Sequence, residues 1–413
     1  HLFNSSEPMQ DAFFWYGYCQ LSLWGYIIST LVLTHITIVS VTLYLHRAQA
    51  HRAIQVHPAL AHFFRFWVWL TTSQLTNEWV AVHRCHHAKV ETEDDPHSPW
   101  HFGILRVLFC GSWLYRDSAQ KKEILDQYSH GTPNDWIERN LYQRFHYSGL
   151  FIMLGLDLIL FGIFGVCVWA VQMIWIPFHA AGIINGVAHY IGYRNFECPD
   201  GSTNISPWAF WIGGEELHNN HHAFPDSAKF SIKWYEFDLG YLYIQILKCF
   251  GLVQVKRLPP VLCESQLLEC KTDIAKWKIL VANRLRIMEQ FAQQVVWPQV
   301  KNQTGLIQDK LRGFSSINEF VKTMLRHSAV ITSEEKGRVE SNLGHLDHLR
   351  CVYKFYKNLE KICHRTRAGQ KEMFTALREW CNEAEKSKIQ CLEGFSTWLQ
   401  EHFLRNFDAT PVS

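Results

Sequence analysis

Charged side chains are missing from two long stretches of this 413-residue chain. Residues 12–46 contain no Asp, Glu, Lys or Arg, and residues 145–193 contain one charged side chain, Asp157. Such stretches are long enough to cross a lipid bilayer, which requires about 20 apolar residues in a helix. Beyond about residue 255 the chain becomes polar, charged and helix-forming. These contrasts predict a membrane-embedded domain over residues 1–255 and a cytosolic helical domain over residues 256–413.

Motifs for several other chemistries are also missing. The 12 cysteines form no Cys-x-x-Cys pair, which argues against a zinc ribbon or a dithiol redox site. No flavin or nucleotide fingerprint, haem-attachment motif or ferredoxin cysteine pattern is present, so electrons for a redox reaction would come from a separate donor. A net charge of +2 is too small to indicate nucleic-acid binding. No basic stretch precedes the first apolar run, so the sequence predicts no cleavable signal peptide.

The apolar stretches predict three membrane spans. Residues 21–45 form the first, and residues 150–169 and 173–192 form two more that are joined by a very short turn. Basic residues begin at Arg47, after the first span, whereas only acidic residues precede it. The positive-inside rule therefore places the N-terminus outside and the following residues in the cytosol. The hairpin has basic flanks at both ends, which places both ends on the cytosolic side.

Histidines are concentrated beside these apolar stretches. Residues 83–87 (His-Arg-Cys-His-His) and 218–222 (His-Asn-Asn-His-His) both read His-x-x-His-His, and residues 46–51 read His-x-x-x-x-His. With 23 histidines in 413 residues, random placement would give about 0.07 copies of His-x-x-His-His per chain. The repetition therefore indicates a shared function. Histidines that stand alone, such as His35 and His179, are expected to be ordinary hydrogen-bonded residues.

The spacing within these boxes favours metal binding. Positions i, i+3 and i+4 lie on one face of an α-helix, so each His-x-x-His-His box is expected to present three imidazoles to one point. His46 and His51 lie about 140° apart on an ideal helix, so they converge only if the helix ends or bulges between them. Asn185 and His189 are four residues apart near the end of the last span and can join the same cluster.

Nine imidazoles are too many for one metal ion but suit two. Imidazole binds iron, zinc, copper or nickel, so the ligand type alone leaves the metal open. The nine candidate ligands are His46, His51, His83, His86, His87, His189, His218, His221 and His222.

Residues 59–82 are the ambiguous stretch. They are apolar enough to suggest another span, yet they contain His62, Arg65, Asn77 and Glu78. A single crossing here would place the first two boxes on opposite faces of the membrane. If the boxes share one metal site, this segment must be re-entrant or lie in the interface.

The order of these motifs resembles the integral-membrane fatty acyl desaturases of the stearoyl-CoA (delta-9) desaturase class. Flanking segments match as well, at residues 91–99 (ETEDDPHSP), 192–196 (GYRNF) and 213–218 (GGEELH). The resemblance covers about residues 20–255 and is closest to the bacterial branch that acts on acyl-CoA or on acyl chains of membrane lipids. One difference is that a single predicted span precedes the first box, whereas the animal enzymes have two.

The resemblance implies a fold, a cofactor and a reaction. The fold is an all-α integral-membrane helical bundle with a cytosolic cap that carries the His boxes, in the bacterial inner membrane with the active site on the cytosolic side. In that family the nine histidines hold two iron ions, and the asparagine matching Asn185 holds a water on one of them. O2 is the co-substrate, and a ferredoxin-like donor supplies electrons. The product is a cis double bond at carbon 9 of an acyl chain carried on CoA or phospholipid.

Three further residues near the boxes are expected to support this site. Trp79 lies four residues before His83 and is a candidate for lining the acyl tunnel. Glu215 and His218 form Glu-x-x-His, but the carboxylate di-iron bundles need a second copy and the sequence has no other. Glu215 is therefore expected to orient an imidazole, and His97 is a candidate for a similar supporting contact. Asp157 is expected either to make a buried hydrogen bond or to lie near the outer end of its span.

Two other functions remain open on this reasoning. A membrane di-iron hydroxylase or monooxygenase shares the His-box logic, but it would carry His-x-x-x-His as the first box and would lack the Asn185/His189 element. A histidine-rich metal transporter or sensor would need polar ligands through the spans, whereas these histidines cluster at one boundary.

The C-terminal domain has helical periodicity without a chemical motif. We predict helices over residues 271–299, 317–326, 349–363 and 370–403, packed as a small accessory bundle. Its histidines have no box spacing, so the sequence assigns it no specific role.

Overall fold

The computed structural model describes residues 9–261, 272–364 and 369–404. Nearly all of the regular structure there is helical, which confirms the all-α class. The chain divides into two compact units. The N-terminal unit comprises the residues up to Arg194 together with Ser202–Pro259, and the C-terminal unit comprises Asn195–Gly201 together with the residues from Pro260 onward.

The N-terminal unit consists of α-helices that are interrupted by short π- and 3-10-helical segments. The π-helical segments are Val41–Ala50, Glu138–Tyr142 and Pro177–Ile184, and the 3-10 segments are Gly162–Phe164 and Val187–His189. Strand β1 (Ile54–Val56) pairs antiparallel with β4 (Val253–Val255), and β2 (Trp208–Ala209) pairs in parallel with β3 (Phe237–Asp238). The α-helices are α1 (Met9–Tyr16), α2 (Leu23–Ser40), α3 (Pro58–Thr72), α4 (Thr76–Lys89), α5 (Pro99–Phe102), α6 (Ile104–Ala119), α7 (Lys122–Tyr128), α8 (Ser148–Phe161), α9 (Gly165–Ile176), α10 (His218–Ala223) and α11 (Leu239–Cys249).

Two segments of the described chain are long and apolar enough to cross a membrane. The first, Leu23–Ala50, has 28 residues and joins α2 to the first π-helical segment. Ser22 precedes this segment and caps the helix, because its side chain accepts a hydrogen bond from the backbone N–H of Gly25. The second, Ser148–His189, has 42 residues.

The second segment folds back on itself. Gln172 on α9 donates a hydrogen bond of 2.8 Å to Asp157 on α8. Residues 15 apart on one straight helix would lie about 22 Å from each other, so the chain must reverse between them. The predicted hairpin and the buried hydrogen bond of Asp157 are confirmed. The predicted position of the turn, between residues 169 and 173, is wrong, because the reversal is at Gly162–Phe164.

Gly162 explains why the chain turns there. Its φ is +64°, a conformation that side chains with a Cβ rarely adopt. A Cβ at this position would also lie 2.5 Å from the backbone of Trp15 on α1, so only glycine allows α1 to contact the turn. The residues around Gly162 are apolar and include other glycines. Composition therefore could not show which glycine forms the turn.

The ambiguous stretch over residues 59–82 forms two helices rather than one span. α3 ends at Ser73, which adopts a left-handed conformation with φ of +57°, and α4 starts three residues later. Neither helix is among the two segments that are long and apolar enough to cross a membrane. Arg65 on α3 is buried and bonds to Asp135 at 2.8 Å, which compensates its charge within the protein.

Arg47 lies in the first histidine box and bonds to residues on both sides of the third box. Its fully buried guanidinium donates two hydrogen bonds to Asp238, at 2.9 and 3.2 Å, and others to the carbonyl oxygens of Ala228 and Gly213. It also lies 3.8 Å from the ring centroid of Phe230. A buried charge is tolerated only when it is paired and hydrogen-bonded, and this arrangement meets both conditions.

The C-terminal unit has its own helices around a continuous apolar core. Two of the predicted helical stretches are interrupted: Asn283 leaves the helical region within residues 271–299, and Lys388 has φ of +57° within residues 370–403. Two helices over residues 304–310 and 333–343 were missed. The helices are α12 (Asp273–Ala282), α13 (Arg284–Phe291), α14 (Trp297–Asn302), α15 (Thr304–Lys310), α16 (Ile317–Leu325), α17 (Ser333–Leu343), α18 (Asp347–Cys363), α19 (Gln370–Lys386) and α20 (Gln390–Leu399), with π-helical segments at Ala292–Val296 and Gln400–Leu404.

Candidate metal centre

The nine predicted ligands lie in two adjacent groups in the N-terminal unit. Within each group the candidate ligand atoms all lie within 4.8 Å of one another. The first group contains five imidazoles and the second contains four. The first is His46, His51, His83, His87 and His221, and the second is His86, His189, His218 and His222.

The first box converges because its helix changes winding. Residues 41–50 are π-helical, and the backbone N–H of His51 donates to the carbonyl of His46, a bond between residues five apart. In a π-helix, residues five apart lie nearly above one another, whereas in an α-helix they diverge. The predicted condition, that the helix must end or bulge between His46 and His51, is therefore met.

Each His-x-x-His-His box divides between the two groups. The i, i+4 pair of the second box, His83 and His87, belongs to the first group, and His86 belongs to the second. The third box divides the other way, with His221 in the first group and its i, i+4 pair in the second. The expectation that each box presents three imidazoles to one point is wrong. Adjacent helical residues such as His86 and His87 diverge by about 100°, so one box can serve two neighbouring sites.

The Nε2 atoms are spaced as ligands of a common ion would be. The Nε2–Nε2 distances are 2.8 Å for His51 and His83, and 3.0 Å for His87 and His221. In the second group, His189 and His218 are 3.0 Å apart by the same atoms. Two nitrogens that bind one metal at about 2.1 Å with a right angle between them lie about 3.0 Å apart. The donor set therefore fits a pair of metal ions.

Burial and mutual repulsion lower the pKa of six of the imidazoles and so favour their neutral form. Burial lowers the pKa of His83 and His87 well below the usual histidine value, and the neighbouring histidines lower it further. The pKa values of four others shift in the same direction with burial as the main cause. Metal ligands must be unprotonated, so this environment prepares the nitrogens for coordination. These four are His51, His218, His221 and His222.

Carboxylates hold three of the imidazoles by the opposite ring nitrogen. Glu215 accepts from Nδ1 of His46 at 2.8 Å and from the hydroxyl of Thr42 at 2.6 Å. Burial alone would raise the pKa of Glu215, but His46 outweighs burial and holds the pKa below its usual range. The predicted orienting contact of Glu215 is made with His46, from the first box, and not with His218 in its own Glu-x-x-His sequence. A proton fixed on Nδ1 leaves Nε2 free to coordinate.

Two similar contacts were missed from the sequence. Asp95 lies 3.0 Å from Nδ1 of His86, and Glu91 lies 3.4 Å from Nδ1 of His189. Burial alone would raise the pKa of Asp95, but the contact with His86 holds it below its usual range. Both acids lie in the acidic run that follows the second box. That run is the sequence feature from which these contacts could have been predicted. Sequence separation hides the contact with His189, which is 98 residues from Glu91.

His97 lies beside the second group. Its ring centroid is 4.3 Å from that of His86, and its Nδ1 is 3.9 Å from Asp95. Burial and the neighbouring His86 lower the pKa of His97 to about 3. His86, Asp95 and His97 also form a group whose ligand atoms converge.

A cavity opens directly onto both groups. It is lined by His46 and His83 from the first group, by His218 from the second, and otherwise mainly by apolar side chains. Trp79 lines this cavity and stacks on His83, with ring centroids 4.9 Å apart and planes 13° from parallel. Asn185 also lines it. The remaining lining residues include Val41, Val82, Ile176, Pro177, Ala180, Ala181, Ile184 and Tyr115.

Comparison with known proteins agrees with this site. A family model described as fatty acid desaturase matches residues 21–245, more than half of the chain. The sn-1 stearoyl-lipid 9-desaturase of Anabaena variabilis is 32% identical over 220 residues, which cover 51% of this chain and 76% of that protein. The corresponding Synechocystis protein is 31% identical, covering 54% and 68%. An acyl-CoA 5-desaturase of Anemone leveillei is 33% identical, covering 53% and 67%.

A second family model, described as transposase, matches residues 282–408, less than a third of the chain. That similarity is confined to the C-terminal unit, away from the histidine boxes. The desaturase family match covers residues 21–245, which include both histidine groups. The chain belongs to the fatty acid desaturase family and is an oxidoreductase that desaturates fatty acyl chains.

Proposed function

We propose that the protein is a di-iron desaturase that introduces a cis double bond at carbon 9 of an acyl chain. The observation that carries the proposal is the pair of adjacent histidine groups that face one largely apolar cavity. The nine histidines and Asn185, through a water, are the proposed ligands. When bound, the two irons would supply an oxidant from O2 that is strong enough for unactivated C–H bonds.

The overall reaction removes two hydrogens from adjacent methylenes. One acyl chain, one O2, two electrons and two protons give one alkene and two waters. The electrons come from an external donor, which we propose to be ferredoxin-like. The chain's own residues contribute positioning, because the carboxylates of Glu215, Asp95 and Glu91 fix the imidazoles and the apolar cavity excludes water around the acyl chain.

The position of the double bond is set by how far the acyl chain enters the cavity. Trp79 stacks on His83 in the cavity wall, so it is placed to fix the chain beside the first group. Two relatives are named for stearoyl-lipid and delta-9 chemistry, which supports a C9 product. A third is named for acyl-CoA, so the proposed carrier of the acyl chain is either phospholipid or CoA.

We propose that the N-terminal unit spans the bacterial inner membrane three times with the site on the cytosolic side. The long helix Leu23–Ala50 and the α8–α9 hairpin supply the three crossings. Both ends of the hairpin and the end of the first helix carry the basic residues expected in the cytosol. The histidines lie at these ends, where a soluble electron donor has access.

The C-terminal residues 256–413 are proposed to form a cytosolic accessory domain. In the described part of the C-terminal unit, no three His, Cys, Asp or Glu side chains converge as a metal site would require. Phosphoryl transfer to or from nucleic acid commonly uses such carboxylate-bound metals. The similarity to a transposase is therefore not extended to that activity, and no nucleic-acid partner is proposed.

Metal and product analysis test the proposal. Purified protein should contain two irons per chain and should consume O2 when reductant and acyl substrate are added. Labelled acyl-CoA and labelled phospholipid, offered separately to membranes, identify the carrier, and the position of the new double bond is read by mass spectrometry. An alcohol product would favour the hydroxylase alternative. Zinc in the site with no O2 consumption would favour a transporter or sensor and contradict the proposal.

A further inference from the structure

Arg84, inside the second histidine box, bonds to the end of the first box. It directly follows His83 on the chain. Its guanidinium donates from Nε to the backbone carbonyl of Ala50 at 2.9 Å and from Nη2 to that of Gln49 at 2.8 Å. Gln49 and Ala50 are the last two residues of the π-helical segment Val41–Ala50. The second box therefore caps the C-terminus of the helical segment that carries the first.

The remaining terminal nitrogen of Arg84 caps a second helix. Nη1 donates to the backbone carbonyls of Tyr128 and His130, at 3.0 and 2.8 Å. Tyr128 is the last residue of α7, which packs beside α4. These four acceptors are all neutral carbonyl oxygens. Carbonyls at a helix C-terminus lack partners within the helix and carry partial negative charge, so a guanidinium that donates to several of them stabilises both helix ends.

The winding of the first box depends on the end that Arg84 holds. In the segment Val41–Ala50 hydrogen bonds join residues five apart, and this winding brings His46 and His51 together. π-helical winding is rare and occurs mostly as short bulges within α-helices, so its surroundings must stabilise it. If the two carbonyls lost their cap, the last turn could return to α-helical winding, in which residues five apart diverge by about 140°. Arg84 is therefore placed to keep His51 directed at the first group.

The same contact fixes the two boxes to each other. Nε2 of His51 lies 2.8 Å from Nε2 of His83. His83 is the chain neighbour of Arg84, and His51 is the chain neighbour of Ala50. The two histidines thus flank the hydrogen bond between Arg84 and Ala50. Because a guanidinium holds its donors in one rigid plane, it restricts rotation as well as distance between the two helical segments.

We propose that Arg84 is a positioning residue that holds the first histidine group together by fixing the end of the first box against the second. This inference rests on the proposed function, because it takes the first group to be a metal site. The contacts that carry it all lie within residues 41–130 of the N-terminal unit. Metal sites tolerate displacements of only about 0.5 Å, so loss of the guanidinium is expected to impair the first group before the second.

Removal of the guanidinium from the full-length protein tests the proposal. Arg84→Met keeps the apolar stem and loses every donor. It should speed deuterium uptake in the peptide that covers residues 41–51 and lower the iron content from two towards one per chain. It should lower kcat by about tenfold or more and change KM for the acyl substrate by less than about twofold. Iron added in excess should restore part of kcat, because all nine histidines remain.

Arg52→Met is the matched control. Arg52 donates to the carbonyl of His130 at 3.0 Å, the carbonyl that Arg84 also contacts, and this described bond does not reach the first box. The control should speed exchange near residues 128–131, as Arg84→Met does, and leave exchange at residues 41–51 and the iron content near the wild-type values. Arg84→Lys keeps the charge without the planar set of donors, so it should show the losses of Arg84→Met to a smaller degree.

The outcomes separate the two levels of the proposal. Unchanged deuterium uptake at residues 41–51 in Arg84→Met would overturn the positioning role, whatever the metal content. Equal losses in Arg52→Met would also overturn it, because the effect would then come from the loop at residues 128–131. If Arg84→Met does not accumulate, Arg84→Lys is measured in its place, and unchanged exchange there overturns the role. Wild-type protein without iron or desaturation would instead contradict the proposed function, while the exchange measurement would still decide the positioning role.

Discussion

Replacing Glu215 by glutamine should weaken iron binding without unfolding the protein. The carboxylate accepts from Nδ1 of His46 at 2.8 Å and from Thr42 at 2.6 Å. A glutamine of the same size keeps one oxygen acceptor but loses the charge. If the amide presents its NH2 group instead, His46 must carry its proton on Nε2, the atom 3.1 Å from Nε2 of His221. Either outcome makes His46 a poorer ligand.

The expected loss is moderate. A hydrogen bond to a charged group contributes about 1.5–3 kcal/mol and a neutral one about 0.5–1.5 kcal/mol, so removing the charge costs about 1–1.5 kcal/mol. Removing a carboxylate that orients a ligand lowers metal affinity by about 10–100-fold, or about 1.4–2.7 kcal/mol. We therefore expect iron affinity to fall by at least about tenfold, and activity to return when iron is added in excess.

Competition with a chelator measures this loss. Iron retained per chain is determined over a series of chelator concentrations for the wild type, Glu215→Gln and Glu216→Gln. Glu216 is the matched control, because its carboxylate accepts from the backbone N–H groups of Trp211 and Ile212 and from no histidine. An affinity in Glu215→Gln equal to the wild type, or an equal loss in Glu216→Gln, would refute the reasoning.

Three further predictions concern the ligands, a buried ion pair and a half-buried acid. His86→Ala and His221→Ala, one from each group, should each abolish formation of unsaturated chains while the protein still inserts in the membrane; lipid analysis with unsaturated product would contradict the assignment. Arg47→Met should cost about 3–5 kcal/mol because the buried Asp238 loses its ion-pair partner. Thermal unfolding should show partial recovery when Asp238→Asn is added, which removes the charge and keeps an oxygen acceptor for the backbone N–H groups of Phe230 and Tyr241. Burial, and then the neighbouring Glu138, raises the pKa of Glu78 to about 7. The folded state therefore binds more protons than the unfolded state between about pH 4.5 and 7, and the free energy of unfolding falls as pH rises through that window. Glu78→Gln should therefore be more stable than the wild type at pH 8 by on the order of 2 kcal/mol, with no difference near pH 4, as measured by melting temperature.

Local patterns were sufficient to predict the helical class, the α8–α9 hairpin and the membership of the histidine clusters. Apolar runs, box spacing and the resemblance of the flanking segments all act over short distances along the chain. The position of the hairpin turn was not predictable, because Gly162 is distinguished only by its contact with Trp15 on α1. Helix α17 escaped notice because its sequence is strongly polar, although Thr332 and Glu335 form a capping box that could have indicated it.

The division of the histidines was decided by helix geometry and packing. The spacing predicted that His83, His86 and His87 share one side of a helix. It did not predict that His86 and His87, which diverge by about 100°, belong to different groups. The π-helical winding that aligns His46 with His51 is likewise a property of the packed helix. The acids that hold the imidazoles lie far from them in sequence, as Glu215 does from His46 and Glu91 from His189.

The amino-acid sequence alone determined which chemistry the chain carries, because ligand type and short-range spacing are written in consecutive residues. It also determined where the long apolar stretches lie, since hydropathy is a local property. Only the tertiary structure decided which imidazoles meet, which carboxylates hold them and where the second apolar segment turns. Those outcomes depend on contacts between residues tens to hundreds of positions apart, whose geometry is set by how whole helices pack.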